Sequence, residues 1–138
     1  MATDPDGDIV TALAAAGIGL TAAVNLFRGM PMPVQSGVPD KAVFVIAGGG
    51  PAPQSYSGST VERRYSAVKV MVRSDPSGVP GAFAAGQTLA RSVRNVLHHI
   101  LIAGYIDVRV NESEPIPLPA DEQGRHMWSI NGELWHEA

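Results

Sequence analysis

Between Val61 and Ala103 the apolar residues change their spacing, and that change limits the fold more than any other feature of the chain. Val68, Val70 and Val72 alternate with Lys69, Met71 and Arg73, the period of a strand with one buried face. Asp75-Pro76-Ser77-Gly78 reads as a turn. From about Pro80 to Ala103 the spacing becomes helical. Phe83, Gly86, Leu89, Ala90, Val93, Val96, Leu97 and Ile100 form one stripe, with Gln87, Arg91, Arg94, Asn95 and His98 on the other side. Gly104 stands where a left-handed C-terminal cap belongs. A long strand followed by an amphipathic helix calls for a core layered between a sheet and helices.

The remaining segments fit that plan. Asp4, Asp6 and Asp8 supply acidic helix-start chemistry, and Ile9, Val10, Leu13 and Ala16 predict a short helix from about Gly7 to Ala16, ended by Gly17. Thr21 to Arg28 reads as a modest strand, stopped by Met30-Pro31-Met32-Pro33. Lys41 to Ala47, "KAVFVIA", is apolar on both faces and reads as a central or partner-covered strand. Val61 to Arg73 opens with Glu62-Arg63-Arg64-Tyr65, so this strand is expected to project beyond the core. Ile106, Val108 and Val110 point inward on another strand. His126, Trp128, Ile130 and Leu134 share a face of the last, Arg125 to His136, where Asn131-Gly132 reads as a bulge or turn. Strands so close in sequence favour antiparallel pairing. The expected class is α+β, with an antiparallel or mixed sheet of about five strands and two helices packed on one face.

At 138 residues the chain is expected to be a single domain with a core of its own. A net charge of −3 offers no global basic field for nucleic acid. The absence of cysteine removes disulfides, thiolate metal sites and cysteine nucleophiles together. The acidic N-terminus lacks a signal-peptide layout, and no segment is long and apolar enough to cross a bilayer. The expectation is a soluble protein.

Few residues invite a chemical reading. Asp121, Glu122 and His126 could form an acid/base group, but acidic residues before a glycine are ordinary turn chemistry. No nucleophile accompanies them, since Ser129 lies on the opposite strand face from His126. His98 and His99, adjacent on a helix, point about 100° apart, and His126 and His136 are too far apart on an extended strand to chelate together. No metal is expected. Gly48-Gly49-Gly50 runs into Pro51-Ala52-Pro53 rather than a helix, so a flexible loop explains it better than a phosphate cradle. No catalytic residue and no cofactor is expected.

The basic concentrations Arg63-Arg64 and Arg91/Arg94 read either as solvated faces or as interface residues, since arginine is favoured where protein surfaces meet. Two long loops, about 48–60 and 111–124, are of a length that is usually functional or disordered. Together these features describe a small α+β protein suited to assembly.

The segments in this order resemble the small tail-terminator and minor capsid proteins of long-tailed bacteriophages. The resemblance is carried by the N-terminal helix and the strand ending in "MPMP", then by "VFVIAGGG", "ERRYSAVKVMVRS", "LARSVRNVLHH" and "SEPIPLPADEQGRHMWSINGELW". The last segment is the most specific. Asp121, Glu122, Gly124, Arg125, His126 and Asn131 match the turn and closing strand that often end such domains.

The resemblance implies a structural virion protein at the head–tail junction, made in the host cytoplasm. It would form a homo-oligomeric ring, typically a hexamer, on the head-proximal end of the tail tube. There it would stop tube polymerisation and meet a head-completion or stopper protein, while DNA passes through the pore. Subunit or partner contacts are then expected at Glu62, Arg63, Arg64, Tyr65, Arg91, Arg94, Asp121 and Arg125. The alternatives are another connector component, such as a stopper or tail-completion protein, and a small acid/base enzyme.

Overall fold

The computed structural model describes residues 4–29, 38–50, 54–55 and 62–137. The elements in chain order are α1 (Pro5–Ala15), β1 (Leu26–Arg28), β2 (Ala42–Ala47), β3 (Gln54–Ser55), β4 (Glu62–Pro76), α2 (Ala82–Leu97), β5 (Asp107–Val110), β6 (Ile116–Leu118) and β7 (Arg125–Glu137). All seven strands join one sheet with main path β1-β2-β4-β7-β5, to which β3 adds at β4 and β6 at β7. β1 is parallel to β2 and every other pairing is antiparallel. The fold is therefore α+β with a mixed sheet, as the spacing of the apolar residues implied.

Register decides what each face buries. Val43 lies opposite Val72, Val45 opposite Val70, Val70 opposite Ile130, and Val72 opposite Trp128. Directly opposed residues share a face, so these three strands pool their apolar positions on one side. Ile9, Val10 and Leu13 of α1 and Ala90, Val93 and Leu97 of α2 complete that core. Both helices thus cover the same face. Gly86 lets α2 approach closely: a Cβ there would lie 2.7 Å from the Ser74 Cβ and 2.7 Å from the Trp128 ring.

The opposite face carries no helix among the described residues, yet it is not simply solvated. Ala42, Phe44, Arg73 and Ser129 are buried there. Phe27 stacks on Phe44 at 5.8 Å between centroids, and the Arg73 guanidinium lies 5.0 Å from the Phe44 centroid. Arg73, expected to point outward, is 1% exposed. Its Nε donates to the Asp40 carbonyl at 2.7 Å and its Nη2 to the Pro39 carbonyl at 2.9 Å. A buried guanidinium needs such acceptors.

Other expectations are corrected locally. The strand expected at Thr21–Arg28 is cut to three residues because Asn25 organises a turn: its Oδ1 accepts the Thr21 N–H at 2.7 Å, and Ala23 is left-handed at φ 64°. α2 ends at Leu97, well before Ala103, so Gly104 caps no helix. His98 and His99 leave the helix for β5. The His99 N–H donates to the Val108 carbonyl at 2.7 Å, and the His98 Nδ1 accepts the Val110 N–H at 3.2 Å. Their ring centroids are 4.1 Å apart, not splayed as helical neighbours would be. Ile106, read as inward, is half-exposed, as is Phe83.

Asn131-Gly132 does not interrupt β7. Gly132 sits between Val68 and Val110 in the ladder, where a Cβ would approach the Arg109 carbonyl to 2.8 Å. Within the expected long loop 111–124 lies β6, and within 48–60 lies β3. The "MPMP" stop and residues 51–53 and 56–61 are outside the described residues.

Candidate functional site

The eight residues singled out in the sequence fall into three places. Glu62, Arg63, Arg64 and Tyr65 begin β4, opposite the end of β7: Arg63 pairs with Glu137, Arg64 with His136, and Tyr65 with Trp135. Arg91 and Arg94 lie on α2. Asp121 and Arg125 stand at the far end of the sheet, where Arg125 pairs with Pro76. Twelve residue steps along β4 separate Arg64 from Pro76, about 40 Å. The structure therefore gathers them at the two ends and on the helix side, not at one point.

At the β4 tip the surface is aromatic and charged. Tyr65 meets Trp135 edge-on at 5.2 Å, and the Arg109 guanidinium lies 4.1 Å from the Trp135 centroid. Arg63 and Arg64 are exposed. Arg109 also donates from Nε to the Asp107 carboxylate at 2.8 Å, whose other oxygen is 3.0 Å from the His99 Nδ1. These two bonds, from Arg109 first and His99 second, hold the Asp107 carboxyl down at about 2. Sequence reasoning missed Trp135 and Arg109. The signal was available, since an odd-numbered aromatic in β7 falls on the face away from Trp128.

A group whose carboxyl is depressed by folding stabilises the protein above its unfolded value, about 4. That contribution disappears as pH falls through about 2. The melting temperature is expected to drop across this window, and Asp107→Asn to flatten part of the drop in a pH series.

On the helix side, Arg91 Nε donates to the Glu114 carboxylate at 3.1 Å and Arg94 Nε to the Glu112 carbonyl at 3.0 Å. The Glu112 carboxylate in turn accepts from the Asn131 side chain at 2.6 Å. Both arginines thus fasten the 111–118 segment to α2. Between α2 and that segment runs a groove of about 230 Å³ lined by Phe83, Gln87, Arg91, Glu114, Pro115, Pro117 and Trp128.

At the far end, "ADEQGR" makes the turn read from the sequence: the Gly124 N–H donates to the Asp121 carbonyl at 2.9 Å. Asp121 Oδ1 accepts the N–H groups of Gln123 and Arg125, and Oδ2 accepts from Arg125 Nε at 2.7 Å. Arg125 is buried and also reaches Asp40 at 3.3 Å. Burial pushes the Asp121 carboxyl up, but the bonds from Arg125 and Gln123 and the Arg125 charge outweigh it, leaving it below its ordinary range.

His126, the next strand residue, faces the other way. Its ring meets Phe83 edge-on at 5.0 Å and its N–H donates to the Ser74 hydroxyl at 2.9 Å. The carboxylate and imidazole that could have formed an acid/base pair are held on opposite faces of the sheet. Among the described residues no group of three or more His, Asp or Glu side chains could hold a metal ion.

The family model for the bacteriophage tail terminator protein matches residues 13–134. The chain belongs to the tail terminator family. It is a structural tail protein and virion component, and the family is not one of enzymes. A chain from the virion of a native gene transfer agent particle superposes with a TM-score of 0.64 at 13% identity, covering 96% of this chain and 94% of that one. At that identity the likeness is one of fold. No curated protein matches the sequence.

Proposed function

We propose that this terminator assembles as a ring, with six copies the expected number, on the head-proximal end of the tail tube. The ring stops tube polymerisation and presents a surface to a head-completion protein, with DNA passing through its pore. The observation that supports this reading is the long β4–β7 pairing, unbroken from Arg63–Glu137 to Arg73–Met127. With both helices on one face, it makes the subunit a stiff plate whose two ends are available to neighbours. Contacts between copies are assigned to the β4 tip, Glu62 to Tyr65, and to Arg91 and Arg94. Asp121 and Arg125 contribute by fixing the turn between β6 and β7. The acidic balance of the chain suits a pore that lets DNA slide rather than gripping it.

The test is to mix purified protein with tail tubes lacking their head-proximal cap and to image the ends by electron microscopy. Rings on one end only, and tubes that stop growing, are expected. A protein that ignores tubes and binds the head portal would instead be a stopper.

A further inference from the structure

The segment between α2 and β5 breaks the usual rule for a surface connection. Ile100-Leu101-Ile102-Ala103-Gly104 carries no polar side chain, although loops generally run through water. At its apex Leu101 is 96% exposed, and Ile106 just beyond is 51% exposed.

The segment is nevertheless held firmly. The His99 N–H bonds the Val108 carbonyl and the His98 Nδ1 accepts the Val110 N–H. The Tyr105 N–H bonds the Ile102 carbonyl at 3.1 Å, and the Ile106 N–H bonds the Trp135 carbonyl at 2.6 Å. The Tyr105 hydroxyl adds a bond of 2.6 Å to Asp8 on α1. A leucine displayed on a clamped loop is preorganised, so burying it against a partner costs little ordering entropy.

A matching hollow lies on the same chain. The Phe83–Trp128 groove, about 230 Å³, is walled by Pro115 and Pro117 and leaves Phe83 49% exposed. Its volume accommodates a branched four-carbon side chain. Arg91 at its edge is already paired with Glu114, so seating an uncharged loop there would bury no unpaired charge. Knob and hollow flank opposite ends of α2, whose sixteen residues span about 24 Å. A contact joining two different patches of identical subunits is heterologous, the kind that generates rings when its rotation closes.

We propose that Leu101 of each copy seats in the Phe83–Trp128 groove of the next copy, forming a head-to-tail contact between terminator subunits. This rests on the ring reading above and adds to it a specific pair of patches.

The chain's lack of cysteine allows a direct test. Leu101→Cys and Gln87→Cys variants, distinguishable by tag, are mixed in solution and on uncapped tail tubes, then oxidised mildly. The expected product is the mixed 101–87 disulfide, well above the amount either variant forms alone. Leu101→Glu, at a fully exposed position, is expected to melt with wild type yet cap tubes at least tenfold less efficiently. If wild-type protein caps tubes while the mixed disulfide is absent and Leu101→Glu caps normally, the contact is wrong and the ring reading stands. A 101–101 product alone, or attachment of Leu101→Cys to the tube protein, would also overturn it. If the protein caps nothing, the capping reading fails, and the solution mixture decides the contact by itself: a 101–87 product supports it and none overturns it.

Discussion

Arg125→Ala is expected to cost about 3 kcal/mol, a fall in melting temperature of about 10 °C for a chain of this length. Arg125 is 4% exposed, and its guanidinium serves both Asp121 and Asp40. Truncation leaves two carboxylates facing a gap where their cation stood. It also loosens the turn, because Asp121 holds the Arg125 guanidinium and the Gln123 and Arg125 N–H groups together. One effect runs the other way. Arg73 lies close enough that repulsion from Arg125, after burial itself, lowers its affinity for its proton; removing Arg125 relieves that. The cost should therefore fall at the low end of the range for a broken buried pair. Arg125→Lys is expected to recover only part of the loss, since an ammonium cannot present the same fork to two carboxylates. Calorimetric melts of the three proteins check this. If Arg125→Ala melted with wild type and left tail-length control intact, the structural role assigned to Arg125 would be wrong.

The parts of the fold legible in the sequence were those set by local periodicity. Val68, Val70 and Val72, and Trp128, Ile130 and Leu134, alternate so regularly that their common face needed no partner to be recognised. The Asp121–Gly124 turn was legible for the same reason, as its hydrogen bonds close within four residues. What periodicity could not show were choices made by distant groups. Arg73 alternates with valines like a surface residue, but its acceptors are carbonyls more than thirty residues back. His98 and His99 continue a helical pattern, yet β5 offers an acceptor for the His99 N–H and a donor for the His98 ring. Those competing bonds end the helix early. Gly132 looked like a break because glycine usually marks one. In the folded sheet it is the residue that lets β5 close on β7.

The candidate interface was read less completely. Arginine composition pointed to the β4 tip, but Trp135 and Arg109 reach the same surface from two other strands. Their proximity follows from the registers Tyr65–Trp135 and Arg109–Glu133, which one sequence does not reveal. Leu101 was hidden differently. Extending the helix through Ala103 turned an exposed loop into an ordinary helical end.

The close seating of α2 on the sheet yields the largest expected effect, with a change of sign to test it. Trp128 is 3% exposed and forms the floor beneath Gly86. Trp128→Ala removes a buried indole and should cost about 4 kcal/mol, partly through the cavity left behind. Gly86→Ala in the wild-type background places a methyl 2.7 Å from the indole and from the Ser74 Cβ. Neither neighbour is the free end of a flexible chain, so the helix must move outward, at about 2 kcal/mol of overpacking. Alanine's better helix propensity returns about 1 kcal/mol, leaving a net loss. With Trp128 already truncated, the indole contact is gone and only the Ser74 approach remains, which a small helix shift into the cavity relieves. In that background the same Gly86→Ala change is expected to stabilise the protein. Urea unfolding of the four proteins measures the coupling, about 2 kcal/mol between residues in direct contact. Additive losses would mean that Ser74, not the indole, limits how closely α2 can pack.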